Sequence, residues 1–339
     1  MSLHLQDLHD QRLILLQSSF SQSSIPILRH LLSKKSSSSR ILLFCFLYPP
    51  ACLVDDVEAQ SGKLVVHDFL DLVPGYHEQD GDSFKRILSA VQDESSTSID
   101  VVIDSLDTLL SDIGSVQAAY TLLRSLLSSI SKSSRLILHI HTPSSLLPLL
   151  TSASFSPSLS HLIARPPELL TELAKEYLTF PPPISPEAKF WSVWIPLSER
   201  EHESERLILE GRGSGNPEEF VVEVIVRGAT DASGRRKAVE RVLEGWNVEK
   251  GPVRLDQLTS GAHLWKRTTV EEKAPDPTQN ISFNLQLTPS QQEARSKVPL
   301  PYVLEGENRT QQNPPGAILY DPDSADDIDD DDPDEDLDI

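Results

Sequence analysis

The stretch Gln17-Ser-Ser-Phe-Ser-Gln-Ser-Ser-Ile-Pro26 follows a short apolar run, Arg12-Leu-Ile-Leu-Leu-Gln17, and precedes a helical pattern, which is where a phosphate-binding loop would stand. Such a loop needs glycines, so that backbone N–H groups can close on phosphate, and a Lys-Ser/Thr pair for charge and magnesium. The stretch has no Gly and no Lys. Nucleotide binding by that route is not expected, and no cofactor is assigned. Asp104 ends the apolar run Ile99-Asp-Val-Val-Ile-Asp104 like a magnesium-holding carboxylate. Without the loop, its expected work is to cap the next helix through the Ser105 or Leu106 N–H. His139 and His141 alternate on one strand face, with His161 further on. Two such imidazoles can bind metal, but no third ligand follows at a suitable spacing, so no metal is assigned.

Gly211, Gly213 and Gly215 form a Gly-x-Gly-x-Gly run with no helix after it, which reads as a hairpin loop rather than a dinucleotide site. No Gly-x-Ser-x-Gly elbow and no Cys/His arrangement stands out, so no catalytic residue is assigned. Cys45 and Cys52, the only cysteines, make neither a disulfide scaffold nor a zinc module. Both sit in an apolar stretch and are expected as buried free thiols.

The elements that position these residues alternate. Apolar runs at Arg12–Gln17, Arg40–Tyr48, Lys63–Asp68, Ile99–Asp104 and Arg135–His141 read as strands, and Leu162-Ile163 begins another. Helical spacing covers Pro26–Leu32, Ser83–Val91, Leu106–Leu110, Gly114–Ile130 and Glu168–Leu178. Strands apolar on both faces and separated by helices predict an α/β domain with a mostly parallel sheet. Beyond Pro181-Pro-Pro183, the segments Phe190–Ile195, Arg206–Leu209, Phe220–Val226 and Lys237–Glu244 read as strands, an antiparallel finish on one sheet edge. Trp191 and Trp194, three apart, would then face opposite sides. From about Glu271 the chain is Pro-, Gln- and Asp-rich and expected to be extended.

The formal net charge of −21 is unevenly placed: residues 321–339 hold 12 acidic side chains and no Lys or Arg, and without them the chain carries −9. A generally basic nucleic-acid binder is excluded, while a local basic patch is not. Arg206, Arg212 and Arg227 lie around the glycine run, and Lys250, Arg254, Lys266, Arg267 and Lys273 form the most basic interval of the second half. Of these, Arg206, Arg212, Arg227, Lys266 and Arg267 are the candidate RNA contacts, weighed against an ordinary solvated face. No apolar run reaches the ~20 residues that span a bilayer, and the first residues lack a leader pattern, so a soluble intracellular protein is expected.

In Asn280-Ile-Ser-Phe-Asn-Leu-Gln-Leu-Thr288 the apolar residues Ile281, Phe283, Leu285 and Leu287 alternate, the pattern of a strand that adds to a sheet edge, in cis or on a partner. Tyr302, Ile318, Tyr320 and Leu337 are the other apolar points of the ending and complete the candidate partner-binding set.

Phe283–Thr288, Gln292-Glu-Ala-Arg295, Leu300-Pro-Tyr302, Ile318-Leu-Tyr320 and Asp326–Leu337, in that order, resemble the C-terminal signature of the Elongator complex protein 5 family. Asp68 to Tyr76 is similar to that family's segment after its early strands. The resemblance implies a RecA-like, P-loop-NTPase-type sheet lacking the Walker A loop. It also implies an accessory, non-catalytic subunit joining two other RecA-like Elongator subunits in a heterohexameric ring. That ring binds tRNA and serves the catalytic subunits that modify wobble uridine (U34), in cytoplasm and nucleus. The tRNA enters through the resemblance alone. The expected layout is an inactive RecA-like domain over 1–273, an extended interaction segment over 274–320 and a disordered acidic tail over 321–339. Two other classes stay open: an active NTPase with an atypical nucleotide site, and an acidic-tailed transcription or chaperone factor that binds basic proteins.

Overall fold

The computed structural model describes residues 4–5, 11–33, 40–55, 63–72, 83–94, 98–200, 202, 205–206, 217–228, 239–265 and 289–297. The chain divides into two units, Met1–Thr268 and Thr269–Ile339. In the first, β1 (Leu13–Ser18), β2 (Arg40–Cys45), β3 (Leu64–Asp68), β4 (Ile99–Ile103), β5 (Arg135–His141) and β6 (Leu159–Arg165) pair in parallel. β7 (Glu219–Arg227), β8 (Val239–Asn247) and β9 (Gly251–Val253) continue the sheet antiparallel from β6. The order is β3-β2-β4-β5-β1-β6-β7-β8-β9. This is the α/β, mostly parallel sheet with an antiparallel edge that the sequence pattern predicted.

β1 lies between β5 and β6, and all six of its residues are buried, which is why its sequence shows no polar alternation. Its odd and even positions feed two cores. Leu13 and Leu15 join Val101, Leu136 and Leu138 beneath α3 (Ser83–Asp93), α4 (Leu106–Ile113), α5 (Val116–Ser129) and α6 (Leu147–Thr151). Ile14 and Leu16 join Ile27, Leu28, Val222 and Trp246 on the face covered by α1 (Ile25–Ser33) and α2 (Pro50–Leu53). Ser105 caps α4 by accepting from the Thr108 N–H, and Gly114 ends that helix at φ +70°. α5 buries Ala119, Leu122, Leu123 and Leu126, the stripe its periodicity predicted.

A third core packs α7 (Glu168–Glu176), α8 (Glu187–Glu199) and α9 (Ala262–Trp265) around Val221, Val253 and Leu258. Here the structure corrects the sequence reading. Phe190–Ile195 is not a strand but the middle of α8, in which Phe190, Trp194 and Leu197 are buried at helical spacing. Six apolar-rich residues fit either period, and the helix formers Glu187-Ala-Lys189 and Leu197-Ser-Glu199 on both sides decide it. Trp191 and Trp194 accordingly both contact the Phe190 ring, at centroid distances of 5.3 and 5.7 Å, rather than facing apart. Arg206 is helical instead of opening a strand, while residues 207–209 lie outside the described set. In the second unit, Pro289–Ser296 forms a helix, α10, instead of an extended segment. Pro at its first position and the run Gln291-Gln-Glu-Ala-Arg295 favour that state, with Lys297 Nζ 2.9 Å from Glu293 Oε1.

Gly251 begins β9 at φ +77°, and a Cβ there would lie 2.9 Å from His30 Cε1. The His30 ring is itself edge-on to buried Trp246, at 5.2 Å, so it has little room to give. Gly251→Ala is expected to lower unfolding free energy by roughly 1–3 kcal/mol, read by urea denaturation.

Candidate functional site

The carboxyl ends of β1, β4 and β5 meet the chain leaving β2, the place where an α/β sheet binds ligands. Ser18 ends β1 and hangs at the centre of a hydrogen-bonded chain. His139 Nδ1 lies 2.6 Å from the Asp104 carbonyl oxygen, which can only accept, so Nδ1 carries the proton and Nε2 is the acceptor. The Ser18 hydroxyl therefore donates to His139 Nε2, at 2.8 Å. Ser18 Oγ in turn accepts from the Ser24 N–H, at 2.8 Å, and from the Ser24 hydroxyl, at 2.9 Å. Burial pushes the His139 pKa down to about 4, against the opposing pull of the Asp104 carbonyl. The ring is thus neutral near pH 7.

A serine donating to an oriented imidazole is the geometry of an activated nucleophile. Here both side chains are only 2 % exposed, and Ser18 Oγ already accepts twice. Among the described residues that oxygen is buried and already paired. The arrangement locks a loop in place.

The loop consumes its own donors. The Ser19 N–H donates to the Gln22 carbonyl and the Gln22 N–H to Ser19 Oγ. At the start of α1, the Ile25 N–H donates to Ser23 Oγ, Pro26 has no N–H, and the Ile27 and Leu28 N–H groups both reach the Ser24 carbonyl. A phosphate cradle works because loop and helix-start N–H groups point outward unpaired. These point inward. At the loop's tip the Phe20 ring stands 71 % exposed, edge-on to His141 at 4.6 Å.

Asp104 meets the Ser105 N–H expected of it, but does more than that. Ser105 caps α4, whereas the Asp104 carboxylate grips the chain leaving β2: Oδ1 accepts from the Phe46 N–H at 2.7 Å, and Oδ2 from those of Leu47 at 3.0 Å and Tyr48 at 2.8 Å. β4 lies beside β2, so the donors within reach belong to the neighbouring strand's exit, with the Ser105 N–H also turned to the carboxylate. Burial raises the Asp104 pKa, and these N–H groups counter it. The same burial, with the Asp104 charge second, raises Tyr48.

The three histidines do not converge. His139 and His141 share the face of Ile137, while His161 is on the other face, its Nε2–H donating to Gln17 Oε1 at 2.8 Å. Among the described residues no group of three or more His, Cys, Asp or Glu is placed to hold a metal ion. Cys45 is buried, with its pKa raised to about 12 chiefly by burial, but Cys52 is exposed. On the single turn of α2 it is Leu53 that packs inward.

Of the candidate RNA contacts, Arg206 is exposed on a helical turn. Arg227, at the end of β7, donates to the Thr151, Ser152 and Ser156 carbonyls at 2.7 to 3.2 Å, a structural engagement. Arg212, Lys266 and Arg267 lie outside the described residues, as do Ile281, Phe283, Leu285, Leu287, Tyr302, Ile318, Tyr320 and Leu337. The Ser18–His139 chain escaped sequence reasoning because it joins residues from strands far apart in order. The available signal was a serine at the end of β1 in register with His141 on β5.

A family model described as Elongator subunit Iki1 matches residues 2–321. Elongator complex protein 5 of Danio rerio is 43 % identical over 68 residues, which are 19 % of this chain and 23 % of that protein. Elongator complex protein 5 of Homo sapiens is 41 % identical over 99 residues, 27 % of this chain and 30 % of that one. The aligned segments thus span under a third of these relatives' length. A solved KaiC-like protein from Pyrococcus horikoshii superposes with a TM-score of 0.41 at 12 % identity, over 71 % of this chain and 88 % of that one.

Proposed function

Starting from a chain that belongs to the Elongator subunit Iki1 family, we propose that it serves the Elongator complex as a non-catalytic accessory subunit. In this reading it joins two other RecA-like subunits in a heterohexameric ring. The ring binds tRNA, supports wobble-uridine modification by the catalytic subunits, and acts in cytoplasm and nucleus.

The observation that carries the non-catalytic part is the closed serine loop. The Ser19, Gln22, Ser24, Ile25, Ile27 and Leu28 N–H groups are committed within the loop and the helix start, and residues 17–26 include no Lys or Arg. A triphosphate placed there would have to break those bonds and would meet no cation from residues 17–26 themselves. Family membership supports the ring and the tRNA. Arg206, Arg212, Lys266 and Arg267 are the candidate contacts, with Arg227 the least available because its guanidinium already serves three carbonyls. The alternating strip Ile281, Phe283, Leu285, Leu287 is the proposed seat for a neighbouring subunit.

Two measurements test this. Tagged chain recovered from its own cells is expected to bring two other RecA-like subunits in equal amount; recovery of histones or other basic proteins without them would instead establish the acidic-tailed factor. Calorimetric titration of the purified chain with magnesium ATP is expected to give no saturable heat. Micromolar binding that Asp104→Asn abolishes would overturn the non-catalytic reading.

A further inference from the structure

In the register of β7 and β8, Phe220 faces Trp246, Val222 faces Glu244, Val224 faces Val242 and Val226 faces Glu240. Phe220, Val222, Val224 and Trp246 belong to the core shared with β1 and α1, and Val226 and Val242 pack against it. Two carboxylates therefore stand on an apolar sheet face. Glu244 is only 5 % exposed. A buried carboxylate on such a face is costly unless each oxygen accepts hydrogen bonds.

The partners come from the start of the chain. Glu244 Oε1 accepts from the His4 N–H at 2.6 Å, and Oε2 from the Leu5 N–H at 3.0 Å. The His4 ring lies 3.2 Å from Glu244 Oε1 through Nδ1 and 3.1 Å from Glu240 Oε1 through Nε2. Leu5, 3 % exposed, enters the same apolar core as Ile14, Leu16 and Trp246.

We propose that Glu244, with the apolar surface beside it, is a peptide-docking site, held in cis by the chain's own residues His4 and Leu5. Its recognition chemistry is general: a carboxylate takes two consecutive backbone N–H groups, Glu240 takes a polar or cationic side chain at the first position, and the core takes a branched aliphatic side chain at the second. Backbone donors carry no sequence information, so the aliphatic pocket and Glu240 select the ligand. The occupant is this chain's N-terminal segment, and the site is refillable by the same segment supplied separately.

The test keeps the full chain. Leu5→Asp unseats the segment in cis by placing a charge in the core while leaving Glu244 and its pocket intact. A fluorescent peptide of residues 1–10 is then titrated into the Leu5→Asp chain and into wild type. Saturable binding is expected for Leu5→Asp, and at least about tenfold weaker binding for wild type, whose site is filled. Adding Glu244→Gln to the Leu5→Asp chain, or Leu5→Ala to the peptide, is expected to weaken binding by about tenfold or more, since each removes one part of the recognition. No saturable binding to a folded Leu5→Asp chain, or equal binding to both chains, overturns the proposal. Should Leu5→Asp fail to fold, hydrogen exchange of wild type decides: slow amides at His4 and Leu5, accelerated by Glu244→Gln, support the site, and exchange at the rate of unstructured peptide overturns it.

Discussion

Acidification from about pH 6.5 to about pH 4 is expected to remove on the order of 3 kcal/mol of stability for each of two buried histidines. The two are His139, held down to about 4, and His161, held down to about 3. Burial is the first cause for both, and for His161 the Arg165 and Arg241 charges act in the same direction. The direction follows from proton counting. Below about pH 6.5 the unfolded chain binds protons at these rings while the folded chain does not, so unfolding is increasingly favoured as pH falls. Protonation of His139 would also set an Nε2–H against the Ser18 hydroxyl that now donates to it, forcing that hydroxyl to turn. Asp104 works the other way: its raised pKa makes the folded state the readier to take up a proton, which offsets part of the loss at the acid end. Urea denaturation at several pH values checks the outcome, and His139→Gln is expected to flatten the profile by about half, one of two comparable contributions being gone. A wild-type stability unchanged between neutral pH and pH 4.5 would refute it.

Asp100→Ala is expected to cost about 3–5 kcal/mol, enough to unfold much of a marginal domain. Asp100 and Arg135 sit directly across the β4–β5 pair. Arg135 Nε donates to Asp100 Oδ1 at 2.9 Å and Nη2 to Oδ2, with both residues buried. Removing the carboxylate takes the paired negative charge away from a buried guanidinium. The pair itself is not the source of that stability, because desolvating both charges nearly cancels their attraction. The double variant Asp100→Leu with Arg135→Met is accordingly expected to fall within about 2 kcal/mol of wild type. A double variant as unstable as the single one would mean that the pair holds strand register rather than merely satisfying charge.

Much of the first unit was legible in sequence because its strands are buried on both faces. Leu13–Leu16, Leu42–Phe44 and Val101–Ile103 have no wet side to break their runs. The helices between them carry caps and stripes of their own, as at Ser105, Gly114 and Leu122–Leu126. Legibility failed where a short segment satisfied two periods. Phe190–Ile195 is apolar enough for a strand; the helix formers on both sides tip it to a helix, and packing beside Leu169, Leu173 and Val253 sets which face is buried. It failed again at Cys52, where one turn of helix chose Leu53 to face inward.

The absence of glycine and lysine between Gln17 and Pro26 is a property of the sequence alone, and so are the parallel α/β class and the concentration of negative charge after residue 320. None of these needs a distant partner, since steric freedom, periodicity and charge are carried by neighbours in the chain. What occupies the serine loop was decided by tertiary structure. Ser18 meets His139 across 121 positions, Asp104 meets Tyr48 across 56, and Glu244 meets Leu5 across 239. A hydroxyl or carboxylate has many local uses on paper. It takes the one that the strand order places within 3 Å, because an unpaired polar group in a packed interior costs more than any local alternative returns.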